Sequence, residues 1–387
     1  MRTFASAFRQ PHPFAAASFQ RKRPPQNFCM STPYLKLRIA EITRETEDAV
    51  TLHLEHPGGV VIPARPGQFL TLILPFQDEK VRRSYSLSSC TAEGPRLSVT
   101  VKRVAGGLVS NYLLDKAQAG QELEALAPIG NFTLETNPQN QRHVVLLGAG
   151  SGISPLFAIL KAALCEEPQT QVLLIYGNRN EDNIIFKTQL EALQQQYGPR
   201  LQVIPVLSQP KNRGAFEHTG RLNRSKIIRL LEKTGVANYL DTLYFTCGPE
   251  GFMEEVKEAL KILRIPQDRV LRESFVSKQT AEPDAGEVTL AGEDPTQAYE
   301  VQVNYEGAEY QFTVAPNQTI LEAALKKGID LPYSCQSGLC TACRGKCLSG
   351  KVHLDESEGL SDAELKEGYV LCCVGHPVTP GVSIEIG

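Results

Sequence analysis

The chain has 387 residues, enough for two or three domains, each with its own core. A formal charge of −3 and a pI near 6.2 leave no basic footprint for nucleic acid. The longest uncharged run, residues 144–160, is too short and too rich in Gly, Ser and Pro for a membrane span. Ten cysteines in an otherwise ordinary composition point to a reducing compartment, the cytoplasm, and to ligand duty rather than disulfides.

Residues 1–33 contain no Asp or Glu and set Arg2, Arg9, Arg21, Lys22 and Arg23 among Ala, Ser and Phe. Organellar targeting segments have that composition. The amphipathic helical pattern is poor, however, which favours a disordered leader, or a start at Met30 directly before "STPYLKLRIAEI". Residues 34–138 carry short alternating apolar runs, "LKLRIAEI", "AVTLHLE", "QFLTLIL" and "RLSVTVKRV", parted by turn residues in "HPGG" and "RPGQ". An antiparallel β-barrel is predicted. Over residues 139–275 buried runs such as "HVVLLGAG", "QVLLIYGN", "LQVIPVLS" and "TLYFTCGP" alternate with helical stretches. That succession predicts a doubly wound α/β domain around a parallel sheet. Residues 276–297 are polar, with Pro, Gly and acids, and read as a linker. Residues 298–387 return to strands, "YEVQVNYEG" and "EYQFTVAP", and then a helix opened by the capping pair Thr319 and Glu322. An α+β unit of the ubiquitin-like β-grasp type is expected there, with a metal centre at its rim.

The segment "YSCQSGLCTACRGKCLSG" says which metal centre. Cys335, Cys340 and Cys343 follow the C-x4-C-x2-C spacing of plant-type [2Fe–2S] ferredoxins, which also need a distant fourth thiolate. Zinc modules show two separated pairs or a pair with two histidines, and neither is present. "GYVLCCVGHP" supplies two candidates for the fourth ligand, Cys372 and Cys373. Gly338 is expected to let backbone amides approach the cluster sulfurs. Cys347, and whichever of the pair is spare, read as structural thiols.

Two glycine-rich segments suit phosphates. In "GGLVSNYL", Gly106 and Gly107 free the backbone, and Ser110 is expected to open a helix whose N–H groups meet a pyrophosphate. A pyrophosphate implies FAD, since FMN has one phosphate. In "HVVLLGAGSGISPL", Gly148, Gly150 and Gly152 are expected to close on a phosphate, with Ser154 and Pro155 opening the next helix. By itself this segment is equally compatible with a structural turn. An acid about twenty residues beyond the glycines would favour NAD. The strand "VLLIYGNR" ends instead in Asn178 and Arg179, and Ser208, Lys211 and Arg213 follow the next strand. These groups suit a 2′-phosphate, so NADPH is expected, with NADH as the alternative.

The order of these signals, with "RRSYSLSS" before "GGLVSNYL", resembles the ferredoxin–NADP reductase superfamily, and "LPYSCQSGLCTACRGK" with "GYVLCC" resembles its plant-type ferredoxin partners. The resemblance implies that Arg83 pairs with a flavin phosphate, Tyr85 lies against the isoalloxazine and Ser86 hydrogen-bonds the reactive flavin nitrogen. It implies that Cys247 and Gly248 of "FTCGPEGFM" border the nicotinamide, and that Glu273 and Phe275 of "RESF" are the closing acid and aromatic. Many members have tyrosine where this chain has Phe275. The distal cysteine of the ferredoxins follows a Leu-x pair, which matches Cys373 and leaves Cys372 as the intervening residue.

Flavin first, nicotinamide second and ferredoxin last is an order found in oxygenase reductases. Those of the phthalate dioxygenase type use FMN, and methane monooxygenase-type reductases begin with the ferredoxin. The resemblance thus implies a reductase passing electrons from NADPH through FAD and a [2Fe–2S] cluster to an oxygenase of the di-iron carboxylate type. The competing reading is a stand-alone oxidoreductase for a small acceptor such as nitric oxide, a ferric chelate or a quinone.

Overall fold

The computed structural model describes residues 34–386, apart from 78, 213, 215, 276–296, 337, 339, 358 and 361. The leader, nearly all of the expected linker, and Arg213 therefore lie outside the described residues.

Strands β1 (Tyr34–Thr46), β2 (Ala49–Glu55), β3 (Phe69–Phe76), β4 (Glu79–Ser86), β5 (Leu97–Lys102) and β6 (Glu122–Ile129) form one antiparallel sheet in the order β4-β3-β6-β1-β2-β5. A Leu87–Val99 bridge and the bond from Ser88 N to Ser98 O, 2.7 Å, join its outer strands and close the barrel. Helix α1 (Leu108–Asp115) lies between β5 and β6 in the chain.

The second sheet is parallel throughout. It contains β7 (His143–Ala149), β8 (Gln171–Asn178), β9 (Leu201–Leu207), β10 (Thr242–Gly248) and β11 (Val270–Ser274), in the order β11-β10-β7-β8-β9. Helices α2 (Ile153–Glu166) and α3 (Lys187–Tyr197) cover one face, while α4 (Arg224–Thr234) and α5 (Glu250–Ile262) cover the other. Crossover helices on both faces leave the strands buried twice over, which is why they read as continuous apolar runs. Residues 144–160, too short for a membrane, are a strand, a tight turn and a helix. Among the described residues no helix is long and apolar enough to cross a membrane.

Barrel and parallel sheet share a core. Phe132 and Leu134, just beyond β6, are buried in the same cluster as Ile159 and Phe245, and the rings of Phe132 and Phe245 meet edge to face at 5.4 Å. The chain between the two sheets is tied down by Glu167, fully buried after α2. Its carboxylate accepts from Arg142 at 2.6 and 3.1 Å, from Asn140 and Thr170 at 2.7 Å and from Asn137 N at 3.0 Å.

The last sheet has β12 (Tyr299–Tyr305), β13 (Ala308–Val314), β14 (Arg344–Ser349), β16 (Tyr369–Leu371) and β18 (Val382–Ile386), in the order β13-β12-β18-β14-β16. β15 (Val352–Leu354) pairs with β17 (Gly375–Pro377) beside it. Helix α6 (Ile320–Lys326) packs on the sheet, as in a β-grasp, and a short helix α7 (Asp362–Lys366) precedes β16. The expected capping box is present: Thr319 Oγ1 accepts from Glu322 N, and Glu322 Oε2 from Thr319 N, both at 3.1 Å.

Candidate flavin, nicotinamide and iron–sulfur sites

Ser86 ends β4 and Glu273 lies on β11, yet Ser86 Oγ donates to Glu273 Oε2 across 3.2 Å. Parallel pairing sets Glu273 opposite Cys247 on β10. Three residues from two domains thus meet at the carboxyl ends of the strands, where open α/β sheets bind ligands. Burial pushes the Glu273 carboxyl up to about 8, although solvent still reaches part of the residue. Cys247 is fully buried, and burial, with the Glu273 charge second, raises its thiol well above the ordinary range. It is a neutral, compact wall rather than a thiolate.

Arg83 is exposed, with Nη1 donating to the Arg82 carbonyl at 2.7 Å, and Tyr85 is partly buried, its hydroxyl pKa raised by desolvation. The expectation for Ser110 needs correction. Helix α1 starts at Leu108 with Gly107 as its N-cap, so Ser110 is the third helical residue. Its Oγ accepts from Val104 N at 3.1 Å and ties the loop to the helix. Leu108 and Val104 expose 55% and 61% of their surface beside this helix start, apolar area suited to a ring system. An exposed arginine on the strand and a helix N-terminus fit the two phosphates of FAD.

The glycine turn also differs from expectation. A Cβ on Gly152 would stand 2.0 Å from the Cys247 carbonyl oxygen, so the seating of α2 against β10 by itself requires a glycine here. Gly148 likewise faces Leu156, and Gly248 faces Phe252. Gly150 has far more room than these three. It has φ +57°, its carbonyl accepts from the Tyr176 hydroxyl at 2.9 Å, and an added Cβ would lie 3.6 Å from Lys102 Nζ. Lys102, at the end of β5, was missed in the sequence; burial lowers its pKa, and Asp48 and Arg179 are the charges that act on it. Its signal is the "VKR" that closes the last barrel strand before "GGLVSNYL".

Arg179 is exposed beside Ser208, whose N donates to Asn178 O at 2.9 Å. Lys211 is already engaged: its ammonium pairs with Asp182, and its backbone N donates to Glu181 Oε2 at 2.9 Å. Phe275 follows β11 with 46% of its surface exposed, an apolar ring awaiting a cover.

The cysteine loop gathers the four predicted thiols. The thiols of Cys335 and Cys340 are within hydrogen-bonding reach, as is that of Cys373 with both Cys335 and Cys343. Cys373 N lies 3.4 Å from Cys343 Sγ. Contact with Cys335, then burial, drives the Cys340 thiol up; contact with Cys335 and Cys343, then burial, does the same to Cys373. Four sulfurs this close cannot all ionise by themselves. Two ferric ions with bridging sulfides supply the compensating charge, so the donor set fits a [2Fe–2S] cluster. Cys372 is fully buried in the domain core; its N donates to Cys343 O at 3.0 Å and its O accepts from Leu321 N, at the start of α6, at 2.8 Å. Gly338 has φ +71°, and a Cβ there would sit 2.7 Å from that of Glu356, so its freedom serves the packing of the loop as well as any approach to sulfur.

These features define a modular flavin and iron–sulfur reductase. Three domain families match in the same order: an oxidoreductase FAD-binding domain over residues 36–134, an oxidoreductase NAD-binding domain over 146–258 and a 2Fe-2S iron-sulfur cluster binding domain over 303–378. The chain is 34% identical over 360 residues to a subunit of the 1,2-phenylacetyl-CoA epoxidase of Escherichia coli (strain K12), covering 92% of this chain and 98% of that one. It is 36% identical over 355 residues to the ferredoxin reductase component of 3-ketosteroid-9-alpha-monooxygenase of Rhodococcus rhodochrous, covering 90% and 96%. Phthalate dioxygenase reductase shares the fold with a TM-score of 0.57 at 22% identity, over 91% of this chain and 98% of that structure. The chain belongs to the ferredoxin–NADP reductase superfamily, in the group that ends in a plant-type ferredoxin domain and includes the reductase components of oxygenases. It is an NAD(P)H-dependent electron-transfer reductase with FAD and a [2Fe–2S] cluster as cofactors.

Proposed function

We propose that this reductase draws hydride from NADPH and serves a di-iron carboxylate oxygenase of the phenylacetyl-CoA epoxidase kind, in the cytoplasm. The observation that carries the catalytic part is the Ser86–Glu273 contact, which joins the candidate flavin strand to the candidate nicotinamide sheet at 3.2 Å. Bound FAD supplies the exchange between a hydride and single electrons, and the cluster supplies a one-electron acceptor.

The chain's own residues place and shield these groups. Arg83 and the N-terminus of α1, with Gly107 and Ser110, hold the FAD phosphates, and Tyr85 flanks the ring. Ser86 holds the flavin nitrogen that gains hydride, and Glu273, neutral below about pH 8, keeps the Ser86 hydroxyl oriented. Cys247 and Gly248 form a close, uncharged wall for the nicotinamide, and Phe275 covers the flavin ring. Gly150 and Lys102 face the dinucleotide phosphates, and Arg179 with Ser208 faces the 2′-phosphate. Lys211 contributes less, because Asp182 holds it. Cys335, Cys340, Cys343 and Cys373 hold the cluster.

The partner is tested by co-purification from the native cell, with iron analysis of the retained protein. A di-iron oxygenase retained and reduced by the holoenzyme supports the reading. Fast turnover of nitric oxide, a ferric chelate or a quinone by the isolated chain, with no partner retained, would replace it with a stand-alone oxidoreductase. The donor is tested by Arg179→Ala, which should weaken NADPH more than NADH; equal losses make Arg179 a bystander.

A further inference from the structure

Strand β4 also touches the ferredoxin domain. Successive side chains point to opposite sides, so Arg83 and Tyr85 share one face while Arg82 and Ser84 share the other with Ser86 at its end, and on this second face Arg82 and Ser84 meet the ferredoxin domain. The Arg82 side chain is 2% exposed. Its Nη2 donates to both oxygens of Asp330, at 2.7 and 2.9 Å, and to the Tyr34 hydroxyl at 3.1 Å. Its Nη1 donates to the Leu331 carbonyl at 3.2 Å, and the guanidinium lies 4.2 Å from the centre of the Tyr333 ring. The hydroxyls of Ser84 and Ser334 are also in contact. Every ferredoxin residue named here belongs to the segment Asp330–Ser334, which runs directly into Cys335.

A second contact lies on the far side of the loop. Asn131, beyond β6, donates to Glu364 at 3.1 and 3.3 Å, and Glu364 pairs with Arg344, the residue after Cys343. The cysteine loop is thus pinned to the flavin barrel before its first cysteine and after its third. Burying a guanidinium is costly unless partners take up its donors. Here Asp330 and Leu331 take up Nη2 and Nη1 from across the module boundary, Tyr34 of the barrel adds one more acceptor, and Nε is buried without a hydrogen-bond partner, so separating the modules would strip away most of the groups that hold this side chain.

We propose that Arg82 is a positioning residue for electron transfer from flavin to cluster, holding the entry to the cysteine loop against the strand that lines the flavin. This rests on the assignment of FAD to the Arg83–Ser86 strand and of the cluster to Cys335, Cys340, Cys343 and Cys373. Each electron that crosses comes from the pair delivered as hydride and reduces one cluster iron from ferric to ferrous. Arg82 gains and loses nothing; it fixes the separation. Without it the two modules would be held together only by the chain itself and by the weaker contacts of Ser84 with Ser334 and of Asn131 with Glu364, which fix the separation less well.

The test uses full-length holoenzyme carrying Arg82→Met, Arg82→Lys or Asp330→Ala, with FAD and iron content measured first. Rapid anaerobic mixing with NADPH then follows flavin and cluster reduction separately, and small-angle scattering reports overall size. Flavin reduction should keep the wild-type rate in all three. Cluster reduction should slow about tenfold or more in Arg82→Met, as expected when a reacting pair loses its fixed geometry. Arg82→Lys should recover part of the rate, and the scattering radius should grow as the rate falls. Should Arg82→Met fold poorly, Asp330→Ala decides alone, since that side chain is 58% exposed. Wild-type cluster reduction with an unchanged radius in Asp330→Ala would overturn the proposal. Failure of the cofactor assignments shows separately, as FAD retained by Arg83→Ala or iron retained by Cys373→Ala.

Discussion

Cys372 and Cys373 are neighbours that border the same apolar core, but Cys373 alone has its thiol within hydrogen-bonding reach of Cys335 and Cys343. Cys373→Ala should abolish the visible absorbance and the paramagnetic signal of the reduced cluster, while Cys372→Ala leaves both in place. The reverse result would shift the ligand register by one residue. Glu273 gives a second expectation, with its sign set by the raised pKa. Between the ordinary carboxylate range and about 8 the native chain holds a proton that the unfolded chain has released, so stability falls as pH rises through that window. The same ionisation sets a buried anion beside Ser86, so flavin reduction by NADPH should decline above about pH 8. Glu273→Gln, neutral at every pH, should remove that descending limb from the single-turnover profile. A limb that persists in the Gln variant would belong to another group.

Helix α2 is where sequence and structure part most clearly at the level of elements. The strand, turn and helix of residues 144–160 were legible from an apolar run, a glycine cluster and a proline in the first helical turn. The purpose of Gly152 was not, because the atom that requires it, the Cys247 carbonyl oxygen, is remote in the chain. Both partners are backbone, so neither can rotate aside. Gly152→Ala should therefore cost roughly 1–3 kcal/mol of stability and loosen dinucleotide binding as α2 shifts off β10. Chemical denaturation and an NADPH titration read the two effects; unchanged values in both would show that α2 moves freely. Helix α6 was more readable, since Thr319 and Glu322 form a local signal that needs no distant partner.

At the scale of the whole molecule, the ferredoxin domain is docked as well as tethered. Cutting the chain within residues 276–296 and removing the ferredoxin domain should leave a flavoprotein that oxidises NADPH with ferricyanide, because Ser86, Cys247 and Glu273 all remain. Arg82 would lose Asp330 but would then face water, where an unpaired guanidinium is well solvated. The fragment should fail to reduce cytochrome c efficiently or to support an oxygenase. If it supports the oxygenase as well as the intact chain does, electrons leave from the flavin directly.

The order of domains and the spacing of Cys335, Cys340 and Cys343 were determined by the sequence alone, because strand alternation, helix periodicity and ligand spacing are local properties. The contact of Ser86 with Glu273, the engagement of Lys211 by Asp182, the placing of Lys102 near Gly150 and the clamp of Arg82 on Asp330 were decided only by the tertiary structure. Each joins residues from separate elements, and most join separate domains. Local pattern can say that an arginine lies on a strand. Which face of that strand another module will cover depends on how the modules pack, and that packing is what buries one arginine of a consecutive pair and exposes the other.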